Sequence, residues 1–111
     1  MDIGSVPSVR AVITLLPDFN HPLRHKRGRY MPHVVVGDPG QRQARMPGMT
    51  PTEDYLGVLV TEGLDEIAPG ATAEVTLRLM YWPGVNYEQL VTGATFTLRE
   101  GARIIGFGHV L

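Results

Sequence analysis

Phe96-Thr97-Leu98-Arg99-Glu100-Gly101-Ala102-Arg103-Ile104-Ile105-Gly106-Phe107-Gly108 reads as two strands joined by a tight, charged turn. Before the turn, Phe96 and Leu98 alternate with Thr97 and Arg99, the period of two that marks a half-buried strand. Gly101 carries no Cβ and adopts a positive φ without penalty, as short hairpin connections demand. A closing hairpin of Ala94 to Arg99 paired with Arg103 to Val110 follows from this stretch alone.

Working back from that hairpin, the rest of the chain breaks into similar pieces. Thirteen glycines and nine prolines punctuate it every few residues and leave no uninterrupted helical period of useful length. Val9 to Leu16 is apolar and β-branched, and Tyr30 to Val36 is a second run interrupted by Pro32, a residue confined to edges or bulges. Tyr55 to Thr61 makes a third. Ala73 to Tyr81 alternates Val75, Leu77, Leu79 and Tyr81 against Thr76, Arg78 and Met80, a half-buried strand signal that reads Tyr81 as core, although an aromatic there also suits an interface. Six short strands with turn chemistry between them predict an all-β sandwich or small antiparallel barrel, and a barrel also removes exposed sheet edges. Residues 37–52 fit no strand, and a connection of that length is a functional loop, an ordered Ω-loop or a disordered excursion.

The chain has 111 residues, which suits one domain over residues 1–111 with residues 1–8 as a mobile N-terminus. Its lack of cysteine excludes a disulfide framework and thiolate chemistry. The N-terminal residues show no basic-then-apolar leader pattern, and no apolar run approaches the ~20 residues that span a bilayer as a helix. A soluble cytoplasmic protein with no membrane contact is the expectation. Ten basic against eleven acidic residues give a formal charge of -1, so no global field draws the molecule to polyanions and any nucleic-acid contact must be local. The cations are nonetheless uneven: Arg24, Lys26, Arg27 and Arg29 lie beside His21 and His25, while Glu53 to Glu66 holds five of the acids.

The closing hairpin, with its Phe, Arg-Glu-Gly, Arg and two glycines one residue apart, resembles the last hairpin of the C-terminal barrel in elongation factor Tu and related translational GTPases. Other islands follow in the family's order. His21-Pro22-Leu23 is similar to its His-Thr-Pro-Phe stretch with a residue lost, Tyr30-Met31-Pro32 to its Tyr-Arg-Pro, and Pro69-Gly70 to its Pro-Gly-Asp turn. The resemblance runs from about Val9 to Leu111 and implies a six-stranded antiparallel Greek-key barrel like the third domain of that factor. It also implies contacts to the acceptor and T-stem side of aminoacyl-tRNA, which map here onto His21, Glu100 and Gly101. The family's arginine before that histidine is Asn20 here and its contacting glutamine is His33, so the match is partial. The GTPase domain and the second barrel have no counterpart in this sequence, and no GTP binding is expected.

Two binding roles compete. RNA binding would use Arg24, Lys26, Arg27 and Arg29 to neutralise phosphates, with His21, Glu100 and Gly101 as the inherited contacts and Glu100 accepting from a ribose 2′-OH. Four cations on an exposed loop also serve simply to keep a protein soluble, and Arg99 and Arg103 beside Glu100 read equally as a surface ion-pair cluster of little energetic weight. Protein binding would use the residue types that anchor interfaces: Met46 and Met49 in the long loop, and Trp82 and Tyr87 in the turn-rich Trp82-Pro83-Gly84-Val85-Asn86-Tyr87. Catalysis has little to build on. Ser5 and Ser8 lie near the N-terminus with no nucleophile elbow, and no carboxylate spacing completes a metal site with His21, His25, His33 or His109. The sequence thus predicts a non-enzymatic, cofactor-free barrel acting as a protein-interaction or translation-associated adaptor, with an RNA-binding accessory module as the alternative and a small enzyme third.

Overall fold

The computed structural model describes residues 7–18, 23–24, 30–46, 53–62 and 66–111. The described strands are β1 (Ser8–Leu15), β2 (Leu23–Arg24), β3 (His33–Val36), β4 (Leu56–Glu62), β5 (Glu66–Ile67), β6 (Thr72–Leu79), β7 (Thr95–Glu100) and β8 (Arg103–Val110). Six of them close into an antiparallel barrel in the order β1-β6-β4-β3-β7-β8, with β8 returning to β1. The all-β barrel expected from the alternating segments is therefore the architecture. Beside it, β2 and β5 form a two-stranded ribbon that pairs Leu23 with Ile67 and Arg24 with Glu66. Neither of these two-residue strands has a period to read in the sequence.

Alternation sorts the barrel's side chains. Ile13 and Leu15 from β1, Val58 and Val60 from β4, and Val75 and Leu77 from β6 are completely excluded from solvent and point to one interior. The seam between β8 and β1 depends on the two closing glycines. A Cβ at Gly108 would lie 2.1 Å from the Val12 carbonyl oxygen and 2.9 Å from Phe96 Cζ, and one at Gly106 would lie 2.5 Å from the Thr14 oxygen. The absence of side chains lets the first and last strands approach, and the Phe96 ring occupies the interior space over its cross-strand partner Gly108.

Gly101 adopts φ 60° between β7 and β8, as the hairpin required. One extra residue, Ile105, bulges from β8, so that Leu98 pairs with Gly106 and Arg99 with Ile104. The bulge turns Ile105 into the core and leaves Ile104 beside Arg99.

Two expectations are corrected by these contacts. Tyr81 does not continue the core face of β6. The strand ends at Leu79, the backbone turns with Val85 N donating to Tyr81 O at 2.9 Å, and Tyr81 is 56% exposed. Arg99 is not part of a surface ion-pair cluster, because it is wholly buried. Strand β3 is also shorter than its apolar run, since Tyr30 makes only an isolated bridge to Val60 before Pro32 interrupts the ladder.

Candidate binding surface

The outer face of β3, β4 and β7 carries a continuous row of groups that the sequence pattern alone would assign to solvent. His33 is opposite Arg99 on one side and Gly57 on the other, so these three positions share the outer face. Over them lie the two described ends of the long connection.

At the Arg99 end the two charged groups are paired. The guanidinium donates to both Glu53 carboxylate oxygens, Nη1 to Oε1 at 2.9 Å and Nη2 to Oε2 at 2.8 Å. Nη1 also donates to the Tyr55 hydroxyl at 2.8 Å, and Nε to Thr97 Oγ1 at 3.0 Å. Glu53 accepts two further bonds, from Gln41 Nε2 at 2.7 Å and from the Arg45 backbone N at 2.8 Å. A bidentate Arg–carboxylate pair is among the stronger hydrogen-bonded geometries, and its desolvation is tolerable only when the remaining donors and acceptors are satisfied.

The charges respond as this geometry requires. The hydrogen bonds from Arg99 hold the Glu53 carboxyl down at about 2, against the opposing effect of burial, with Gln41 and Arg45 adding to the depression. For Arg99, burial works against the cation, but the bonds to Glu53 and Tyr55 outweigh it and its pKa rises. The segment then continues across the barrel, with Arg42 stacked 5.2 Å from the centroid of the Phe107 ring on β8. The long connection is thus pinned to the outer face at Gln41, Arg42, Arg45 and Glu53.

Toward β6 the same face becomes aromatic and open. The Tyr55 ring lies edge-on to His33 at 5.9 Å between centroids and 5.1 Å from the Arg99 guanidinium carbon. Tyr81 covers Gly57 so closely that a Cβ there would fall 2.3 Å from Tyr81 Cε2. Trp82 follows, 49% exposed, joined to Pro83 by a cis peptide bond. A hollow of about 410 Å³ is lined by Leu79, Trp82, Pro83, Val85, Asn86, Tyr87 and Glu88.

Tyr87 holds this turn in place. Its hydroxyl donates to Gly57 O at 2.6 Å and accepts from Tyr81 N at 3.0 Å, bridging β4 and the end of β6 where their ladder stops. Burial pushes this hydroxyl's pKa up, against the Tyr81 amide bond. Next to it, Glu88 N donates to Asn86 Oδ1 at 2.8 Å, and Gln89 Nε2 donates to Asp54 Oδ2 at 2.9 Å. That last bond ties the loop to the segment carrying Glu53 and Tyr55.

The residues singled out for partner binding are distributed unevenly. Trp82 and Met46 are exposed, Met46 at 71%. Tyr87 is buried and fixes the backbone beneath Trp82 instead of facing outward. Met49 lies outside the described residues. Of the residues singled out for RNA, His21, Lys26, Arg27 and Arg29 also lie outside them, and Arg24 is placed only by its backbone in β2. Glu100 accepts from the Tyr30 hydroxyl at 2.6 Å, and Gly101 sits exposed at the turn. Burial raises the Tyr30 pKa, as does the neighbouring Glu100 carboxylate.

A second hollow of about 430 Å³ lies between Val12, Thr14, Thr95, Phe107 and His109 on the outer face of β1, β8 and β7. Among the described residues, the first hollow is lined by a carboxylate without a histidine and the second by a histidine without a carboxylate. Among the described residues, no three His, Asp or Glu side chains gather to hold a metal ion.

The sequence reading missed Glu53, Tyr55, Thr97 and Arg99 as parts of this surface, and left Tyr81 between core and interface. The length of the 37–52 connection was the available signal, since a long segment within a small barrel must cover something. No family model, curated protein or solved structure matches the chain.

Proposed function

We propose that this chain is a non-enzymatic β-barrel adaptor that binds a protein partner through the aromatic surface at Trp82. The observation carrying the reading is the consecutive pair Tyr81 and Trp82, 56% and 49% exposed on a turn whose backbone is fixed by the Tyr87 hydroxyl. Large aromatic side chains on a rigid support lose little freedom on binding and dominate interface energies. Tyr55 and Met31, 37% and 57% exposed, extend the apolar surface available on the described segments.

A translation-associated setting is part of the proposal and rests on the likeness to the third domain of elongation factor Tu. The ordered sequence islands support it. The strand order, in which β3, β4 and β6 are neighbours and β1 lies beside β6, supports reading the barrel as a Greek key. On this reading the barrel presents a surface that the larger factor uses for its own domains and partners, in the cytoplasm.

The test is affinity capture with the wild-type chain and with Trp82→Ala. Recovery of one defined protein by the first and its loss with the second is the expected result. Capture unaffected by the substitution, or only nuclease-sensitive capture that depends on Arg24 and Arg27, would replace this reading with the RNA-binding alternative.

A further inference from the structure

Resting on that reading, we propose that the hollow between Trp82 and Glu88, with the flanking Tyr81 ring, docks an extended, proline-rich segment that carries arginine. The hollow's lining mixes apolar residues, Leu79, Trp82, Pro83 and Val85, with Asn86, Tyr87 and Glu88. Its lining contains one carboxylate and no cation, and the bond from Gln89 brings the Asp54 carboxylate to the same loop. Asp54 and Glu88 are both exposed, as are Tyr81 and Trp82.

This combination selects a chemistry. Flat, exposed aromatic rings accept proline rings, and a polyproline segment is already extended, so little chain entropy is lost when it binds. The negative faces of Trp82 and Tyr81 attract a guanidinium, which also presents a planar fork to a carboxylate such as Glu88. An acidic segment would meet repulsion from Asp54 and Glu88. The support does not need to move: Tyr87 anchors the backbone from below through Gly57 O and Tyr81 N, while Asn86 Oδ1 fixes the Glu88 amide. Pre-organisation of this kind is what permits a small surface to bind a peptide measurably.

Trp82 is the chain's single tryptophan and therefore reports its own occupancy by fluorescence. The probe is a fluorescein-labelled Arg-Pro repeat peptide, compared with Glu-Pro and Arg-Gly repeats of equal length. The expected result is saturable binding of the Arg-Pro peptide with a change in Trp82 emission, at least about threefold weaker for Arg-Gly and absent for Glu-Pro. Glu88→Gln should weaken Arg-Pro binding roughly three- to tenfold at low salt, with a smaller ratio at high salt. Trp82→Ala should weaken it about tenfold or more, read by anisotropy. Thermal unfolding of both variants checks that the fold is retained.

Equal binding of Arg-Pro and Glu-Pro, equal binding of Arg-Pro and Arg-Gly, or Arg-Pro binding indifferent to Glu88→Gln would overturn the inference. So would absence of binding while affinity capture still depends on Trp82, and in that case the adaptor reading would stand without this ligand. Loss of Trp82 dependence in both experiments would remove the adaptor reading as well.

Discussion

Two ends of one outer face are built on opposite plans. Around Arg99, a guanidinium that solvent does not reach is held by Glu53, Tyr55 and Thr97, and the carboxylate in turn takes Gln41 and the Arg45 amide. Around Trp82, the polar backbone is held from beneath by Tyr87 while the large side chains face outward. The first arrangement has used its interactions internally to clamp the long connection onto the barrel. The second leaves apolar surface whose burial would still be favourable. Stability should therefore be sensitive at the Arg99 end, and recognition at the Trp82 end.

The most severe break of that contrast is at Glu53. Glu53→Ala leaves Arg99 charged and enclosed without its bidentate partner, the situation in which buried pairs cost about 3–5 kcal/mol. A fall in the urea midpoint of that order, together with faster hydrogen exchange at Arg45 N, is the expected outcome. Replacing both charges, with Arg99→Met and Glu53→Leu, should recover much of the loss, because apolar groups of similar volume do not carry the desolvation penalty. A double variant as unstable as the single one would mean that the connection is held by the Gln41 and Arg45 bonds more than by the ion pair.

Acid probes the same clamp without mutation. Glu53 titrates near 4.5 when unfolded and near 2 when folded, so the folded state binds its proton less readily. The stabilisation is complete above the unfolded value and is lost as pH falls through the folded one. The unfolding midpoint should drop between about pH 4.5 and about pH 2, and this component should be missing from Glu53→Gln. An identical acid profile in that variant would assign the acid sensitivity to other carboxylates.

A smaller change is expected at Tyr87, where the two ends of the surface meet. Tyr87→Phe keeps the ring but removes both hydroxyl bonds, leaving Gly57 O and Tyr81 N without that partner. A loss of about 1–2 kcal/mol fits the removal of a hydrogen-bonding group from a buried site. If the turn loosens as the geometry implies, Trp82 emission will shift at the same time. Loss of stability with unchanged emission would separate the hydroxyl's role in the ladder from its role under the binding surface.

How much of this was legible in the sequence depended on where each determinant lies. The closing hairpin could be read from 96–108 because its alternation and its turn glycine are local, and β8 spans the expected Arg103–Val110. The end of β6 could not. Alternation carried the pattern on to Tyr81, whereas the backbone turns after Leu79 and the ring swings over Gly57. Arg99 shows the deeper difficulty. On an alternating strand an outward arginine is ordinarily solvated, and its burial is imposed by Glu53, separated from it by 46 residues along the chain. Glu53 itself stood out only as one acid in an acidic stretch. For Tyr87 the residue type was informative and its direction was not, since an aromatic in a turn serves equally as support or as contact.

Trp82→Ala should have the smallest effect on stability, and that is its value. The ring is half-exposed, the local turn is maintained by Val85 N to Tyr81 O and by the Tyr87 bridge, and no described hydrogen bond uses the indole. Surface substitutions away from caps, cavities and buried polar networks usually remain within about 0.5 kcal/mol. An unchanged urea midpoint alongside lost partner capture would place Trp82 in recognition, opposite in every respect to Glu53. A loss of stability comparable to that of Tyr87→Phe would instead make the ring part of the turn's packing, and the contrast between the clamped and the open ends of this face would collapse.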